Sequence, residues 1–271
     1  MTRRLLGGAI AAVAVFALVT APTASAATTS FSGAVALSNC SGSVVKPAAT
    51  PADAPALVLS NGHCLESGFP EPGQVIVDQD SSRTFDLLSE DGQSTVGTVT
   101  AKKVAYATMT DTDVSLYQLT DTYAGIKDKY GVAPLELAGS HPEAGTAIDI
   151  VSGYWKKIYS CTIDGFVPEL HEGGWVWKDS VRYASGCDTI GGTSGSPLVD
   201  HATGKVVGVN NTANEDGERC TENNPCEVDE SGNVTVHAGT KYGEETYGIP
   251  ACLTAAGEVD LNQQGCTLPK P

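Results

Sequence analysis

Apolar and polar residues alternate along this chain in short bursts, and seldom at the three-to-four spacing of a helix. The bursts include GAVAL (33–37), GQVIV (73–77), GTVTAKKVAYATM (97–109), DVSLYQL (113–119), AIDIVSGYW (147–155), KIYSCTI (157–163), GWVW (174–177), SPLV (196–199), KVVGVNN (205–211) and NVTVHA (233–238). Gly, Asn, Asp and Pro separate them. Short β-rich runs between turn residues predict an all-β protein of the sandwich or barrel kind. PLVDHATGKVVGV (197–209) reads as two strands joined by a turn at 201–204. One stretch, DTYAGIKDKYGVAPLELAG (121–139), breaks the pattern and reads as a connector between two halves.

The first 26 residues follow a different rule. Arg3 and Arg4 precede an apolar run from Leu5 to Thr20, and Ala24-Ser25-Ala26 follows. That layout predicts a secretory signal peptide cut after Ala26. The run is short for a membrane anchor, and no basic stop follows it. The expected organisation is therefore a leader (1–26), an N-terminal unit (27–125), a C-terminal unit (126–249) and a tail (250–271). The full chain carries −16, and since two of its 16 basic residues and none of its 32 acidic ones lie in the leader, the mature chain carries −18. So acidic a surface repels phosphate backbones and anionic lipid, which argues against nucleic-acid and membrane partners.

The eight cysteines are an even set in a chain expected to be exported, and they read as a disulfide framework. No Cys-x-x-Cys and no Cys/His cluster with zinc spacing occurs, so no metal and no cofactor is expected. Proximity favours Cys220–Cys226 and Cys252–Cys266, Cys161–Cys187 ties neighbouring strands, and Cys40 and Cys64 remain for each other. Clustered carboxylates and Asn oxygens at 214–233 suit a hard cation but lack the spacing of a calcium loop. A solvated charged loop is expected there. Trp155, Trp175 and Trp177 are expected in the core, the alternative being that they line substrate subsites.

Three contexts carry chemistry. His63 stands in LSNGHC between Gly62 and Cys64, where a disulfide would fix the backbone and hold a general base in place. Asp113 opens an alternating run; alone it would be a turn residue. Ser194 lies in GGTSGSP (191–197), where glycines leave backbone amides free to face a developing oxyanion. This is not the Gly-x-Ser-x-Gly elbow of α/β-hydrolases, because position 196 is Ser. Each context alone is unremarkable; all three in the order His, Asp, Ser are rare by chance.

Here a resemblance becomes specific. CSGSVV (40–45) resembles the Cys-Gly-Gly-Ser strand of chymotrypsin-like serine proteases. SNGHC resembles their Ala-Ala-His-Cys, DVSLYQL their Asp-Ile-Ala-Leu-Leu-x-Leu, GGTSGSP their Gly-Asp-Ser-Gly-Gly-Pro, and GKVVGVNN the strand that follows. The resemblance covers nearly the whole mature chain. It implies two six-stranded antiparallel Greek-key β-barrels with the active site in the cleft between them. It implies a secreted, monomeric serine endopeptidase acting on proteins or peptides, with Ser194 as nucleophile, His63 as base and Asp113 as orienting carboxylate. The amides of Gly192 and Ser194 would form the oxyanion hole. Asp188, six residues before the nucleophile, would sit at the base of the primary pocket and favour a basic P1, with walls from Thr189 and Asn210. Ser196 would fill a small-residue slot. Thr193 replaces the Asp that receives a new N-terminus in the animal enzymes, and no Ile-Val-Gly-Gly precedes FSGAVALSNC. Activity without a zymogen step is therefore expected. The alternatives are a catalytically silent homologue that binds a partner, and a disulfide-rich β module with no site.

Overall fold

The structure, a computed structural model, describes Thr2 and residues 28–271. The expected cleavage site and the leader's apolar run lie outside the described residues. The chain is all-β. The first barrel uses β1 (Ala34–Ala36), β2 (Ser41–Lys46), β3 (Pro55–Ser60), β5 (Thr84–Leu88), β6 (Thr95–Thr108) and β7 (Val114–Thr122). Around it the order runs β1-β5-β6-β7-β3-β2, and pairing of β1 with β2 closes the ring. An extra strand, β4 (Val75–Asp80), pairs with β6.

The second barrel repeats the plan with β9 (Ala147–Ser152), β10 (Lys157–Glu172), β11 (Trp175–Tyr183), β12 (Pro197–Asp200), β13 (Val206–Ala213) and β16 (Lys241–Glu245). Its order is β11-β16-β13-β12-β9-β10, closed by β10 on β11. In both rings the third strand in the chain pairs with the sixth and the fourth with the first, so the antiparallel topology is the same twice. Short strands β14 (Cys226–Val228) and β15 (Val234–Thr235) extend β10 outward.

The stretch expected as a connector holds α1 (Tyr123–Tyr130) and β8 (Leu135–Glu136). Thr122 caps the helix by accepting from the Gly125 amide, and Gly131 ends it in the left-handed region. No described helix is long and apolar enough to cross a membrane.

Alternation puts one side of each strand inside. Val44, Val58, Phe85, Val99, Tyr117 and Leu119 fill the first barrel, and Ile148, Ile150, Ile163, Val181 and Leu198 the second. A third cluster joins the two. Val45, Leu57, Leu59, Tyr106, Val114 and Leu116 of the first half pack with Val206, Val209, Ile249, Cys252 and Leu268 of the second half and tail. The tail is thus a strap across the seam, and the Tyr106 hydroxyl donates to the Pro269 carbonyl at 3.1 Å. The Trp177 indole, buried at the same seam, donates to the Met109 carbonyl at 3.0 Å. The four disulfides join Cys40–Cys64, Cys161–Cys187, Cys220–Cys226 and Cys252–Cys266, the pairs the spacing favoured.

Candidate active site

His63 sits on a single 3-10 turn, Gly62–Cys64, directly after β3. Gly62 passes so close to Thr108 that an added Cβ would lie 2.2 Å from its carbonyl oxygen, so no larger residue fits. On the other side Cys64 is bonded to Cys40, and the buried Arg83 guanidinium donates to the Cys64 carbonyl at 2.5 Å. The turn is thus fixed at both ends.

Asp113, fully buried at the start of β7, meets it twice. Its Oδ1 accepts from the His63 amide at 3.0 Å, and its Oδ2 accepts from Nδ1 at 2.6 Å. A carboxylate can only accept, so the proton is on Nδ1 and the Nε2 lone pair is free. Asn61 donates to the Asp113 carbonyl at 2.7 Å and so anchors the aspartate's backbone. Burial pulls the His63 imidazolium pKa down, but the Asp113 charge and hydrogen bond, with Glu172 adding, more than offset this. The net result lies above the usual histidine value.

Ser194 faces the same cavity of about 380 Å³ as His63. Its Oγ donates to the Asn211 carbonyl at 3.3 Å, its one hydrogen bond among the described residues. Ser196 is fully buried, out of reach of any substrate. Around Ser194 the amides of Thr193, Gly195 and Ser196 are spent on Ile190, Asn210 and Thr193 carbonyls at 3.0, 2.9 and 3.0 Å. Those of Gly192 and Ser194 donate to nothing among the described residues.

Their direction is set from both barrels: Ser41 lies on β2 of the first, and Trp155 follows β9 of the second. Gly192 has φ of +86°, a left-handed conformation that favours glycine. The Trp155 indole donates to the Gly191 carbonyl at 2.7 Å, and the Ser41 hydroxyl to the Gly192 carbonyl at 3.2 Å. In a trans peptide C=O and N–H point opposite ways, so holding the Gly191 carbonyl on Trp155 turns the Gly192 N–H away from it. Ser41 also donates from its amide to the Ser194 carbonyl at 2.8 Å. Thr193, buried, donates to the Ile190 carbonyl and accepts from Asn210 at 3.0 Å, holding the turn with neutral groups.

Thr189 and Asn210 line the cavity. Asp188 does not. It is exposed and outside the lining, because Cys187 is turned inward to its disulfide and the chain alternates from there. The tryptophan expectation also needs correction: Trp177 is core, but Trp155 is 48% exposed and Trp175 lines the cavity with Phe69 against it. In the 214–233 loop, Asn214 and Asp229 accept from nearby backbone amides rather than converging on one point.

Sequence reading missed four polar groups at and behind the site, Asn211, Ser180, Glu244 and Glu172. Asn211 donates to Glu244 at 2.9 Å, and Ser180 to the same oxygen at 3.2 Å. Burial drives the Glu244 carboxyl well above the usual carboxylate range, and the Asp113 charge adds to this. Glu172 is buried at the cavity wall, where Oε2 accepts from Thr212 at 2.6 Å and Oε1 from the Asn223 amide at 2.9 Å. Its pKa is raised, chiefly by burial. The one sequence signal was two consecutive asparagines ending an apolar strand, an expensive choice unless they are bonded.

A family model described as a trypsin-like peptidase domain matches residues 40–209. No curated protein matches the chain. Among solved structures, the MamO protease domain from Magnetospirillum magneticum superposes with a TM-score of 0.51 at 13% identity, covering 83% of this chain and 98% of that one. The protease Anisep from Arthrobacter nicotinovorans gives a TM-score of 0.49 at 16% identity, with 86% and 98% covered. At these identities the likeness is one of fold.

Proposed function

The chain belongs to the trypsin-like peptidase domain family and is a serine endopeptidase, and we propose that it is exported and acts through Ser194, His63 and Asp113. The observation that carries this reading is the His63–Asp113 pair, its Nε2 lone pair free, in one cavity with an accessible Ser194 and two unspent amides.

Rotation of Ser194 about χ1 brings its Oγ from the Asn211 carbonyl toward Nε2. His63 takes the proton as Oγ attacks the scissile carbonyl, and Asp113 stabilises the imidazolium that forms. The Gly192 and Ser194 amides receive the oxyanion. His63 then returns its proton to the leaving amine, and water repeats the cycle on the acyl-enzyme.

No zymogen step is required on this reading, because neutral hydrogen bonds from Trp155, Ser41 and Thr193 do what a new N-terminal ammonium does in the animal enzymes. For the P1 side chain we propose walls of Thr189, Asn210 and Ala213, with Lys241 at the edge. The basic preference that rested on Asp188 loses its carboxylate. Export accords with four disulfides.

The Ser194–Asn211 hydrogen bond is what a silent homologue would also have, and one experiment separates the two. A fluorophosphonate should label the wild type and the Ser196→Ala variant but not Ser194→Ala. No labelling of folded wild type, or labelling that survives in Ser194→Ala, would reject the assignment.

A further inference from the structure

The second barrel carries a cluster that the catalytic chemistry does not use. His141 lies in the loop between β8 and β9, Asp179 within β11, and Glu245 at the end of β16. The His141 Nε2 stands 3.3 Å from Asp179 Oδ2 and 3.2 Å from Glu245 Oε1. None of the three lines the catalytic cavity. Glu244 and Glu245 alternate across β16, the first reaching Asn211 and the second His141.

We propose that His141, Asp179 and Glu245 form a binding site for a divalent transition ion of the Zn²⁺ class. Four features of the geometry support it. First, His141 Nδ1 lies 2.5 Å from the Pro142 carbonyl, which can only accept. That carbonyl fixes the proton on Nδ1 and leaves the Nε2 lone pair directed at the carboxylates, the arrangement by which an outer hydrogen bond orients a ligating histidine. Second, neither contact from Nε2 has hydrogen-bond geometry among the described residues, so a second ring proton would be poorly placed for either oxygen. Third, donors at about 2.0–2.1 Å from a tetrahedral ion stand roughly 3.3 Å apart, which both separations match. Fourth, the Glu245 side chain is only 5% exposed, yet neither carboxylate oxygen meets a donor among the described residues. A carboxyl buried without a donor either takes up a proton or meets a cation, and a divalent ion between His141 and Asp179 would supply the second.

The surroundings fit. Phe166 and Tyr247 flank the imidazole with centroids at 4.3 and 5.2 Å and limit the directions it can take. The Tyr247 hydroxyl, 3.4 Å from Asp179 Oδ2, supplies an outer contact. Asp179 holds φ of +57°, an unusual conformation for a residue with a side chain. One imidazole and two carboxylates suit a borderline ion, whereas calcium prefers an all-oxygen shell of six or more. With three protein ligands the fourth position is left to water. Such an ion would tie the 139–146 loop to two barrel strands. Sequence spacing could not reveal it, because the ligands come from three separate segments.

The test uses untagged full-length protein stripped with a chelator and titrated with ZnCl₂ by calorimetry, alongside thermal melts. One Zn²⁺ should bind per chain and raise Tm, and CaCl₂ should give neither effect. Glu245→Gln and Asp179→Asn keep the side-chain shapes, and each should weaken Zn²⁺ binding by at least about tenfold and abolish the rise in Tm. His141→Ala should do the same if it folds; the two isosteric variants carry the test if it does not. Failure of stripped wild type to bind one equivalent would overturn the site. So would variants that bind as wild type does, since the ion would then sit elsewhere, for example on His63.

Discussion

The indole of Trp155 is the residue whose removal should be most informative. It holds one carbonyl, and through the rigid peptide plane that carbonyl orients the Gly192 amide. Trp155→Phe keeps a ring against Tyr154, whose centroid is 5.0 Å away, but loses the donor. The Gly191–Gly192 peptide is then free to turn. We expect kcat to fall by about tenfold or more with KM little changed, up to the 10²–10³-fold cost of losing an oxyanion donor outright. Unchanged kcat would show that Ser41 and Thr193 hold the loop without it.

His63 makes a second expectation. Its folded pKa is raised above the unfolded value near 6.5. The imidazolium–Asp113 pair therefore stabilises the fold fully below that value, and the contribution is lost as pH rises through the folded pKa. With His63 as the proposed base, catalysis needs the neutral ring, and activity is expected to climb over the same window in which this stability declines. In Asp113→Asn the acid limb of kcat/KM should shift down, and the rate should drop on the order of 10⁴-fold, read from a pH–rate profile. A limb that stays in place would dissociate Asp113 from the titration.

At the scale of elements, most strands were legible because one face of each is buried, and alternation follows burial. The hairpin of β12 and β13 fell where Pro197, Gly204 and two apolar runs required it. NVTVHA yielded only the two residues of β15, since an edge strand on an outer hairpin has little to bury. His63 and Ser194 were legible because backbone constraint leaves marks in sequence: a glycine, a cysteine, a Gly-rich turn. Asp188 was misjudged because which way a side chain turns after a disulfide is set by the fold, not by its distance from a serine. Glu244 and Trp155 were invisible for a related reason: their partners are 33 and 36 residues away, across a sheet and a loop.

The tail also belongs to this scale. Its disulfide, Cys252–Cys266, spans 14 residues. By loop-closure entropy, replacing both cysteines with serine should cost about 3 kcal/mol and lower Tm by roughly 10 °C. Because Cys252 is buried in the seam between the barrels, activity should become more heat-sensitive too. A melting curve of the double variant that overlays wild type would show the strap to be passive.

For the whole molecule, the two barrels share a topology and a seam, and the candidate catalytic groups are divided between them. His63 and Asp113 belong to the first barrel and Ser194 to the second. Bridges cross the seam in the backbone as well: Asp111 with Val176 and Lys178, Ser41 with Ser194. The apolar cluster there is built from both halves at once. Neither barrel can therefore let go of the other without opening its own wall. The thermodynamic consequence is that no folded but disassembled enzyme exists along the heating curve. Calorimetry should record a single transition whose van't Hoff and calorimetric enthalpies agree, and the loss of turnover should superimpose on it. The enzyme would have no dormant intermediate: it is either whole or unfolded.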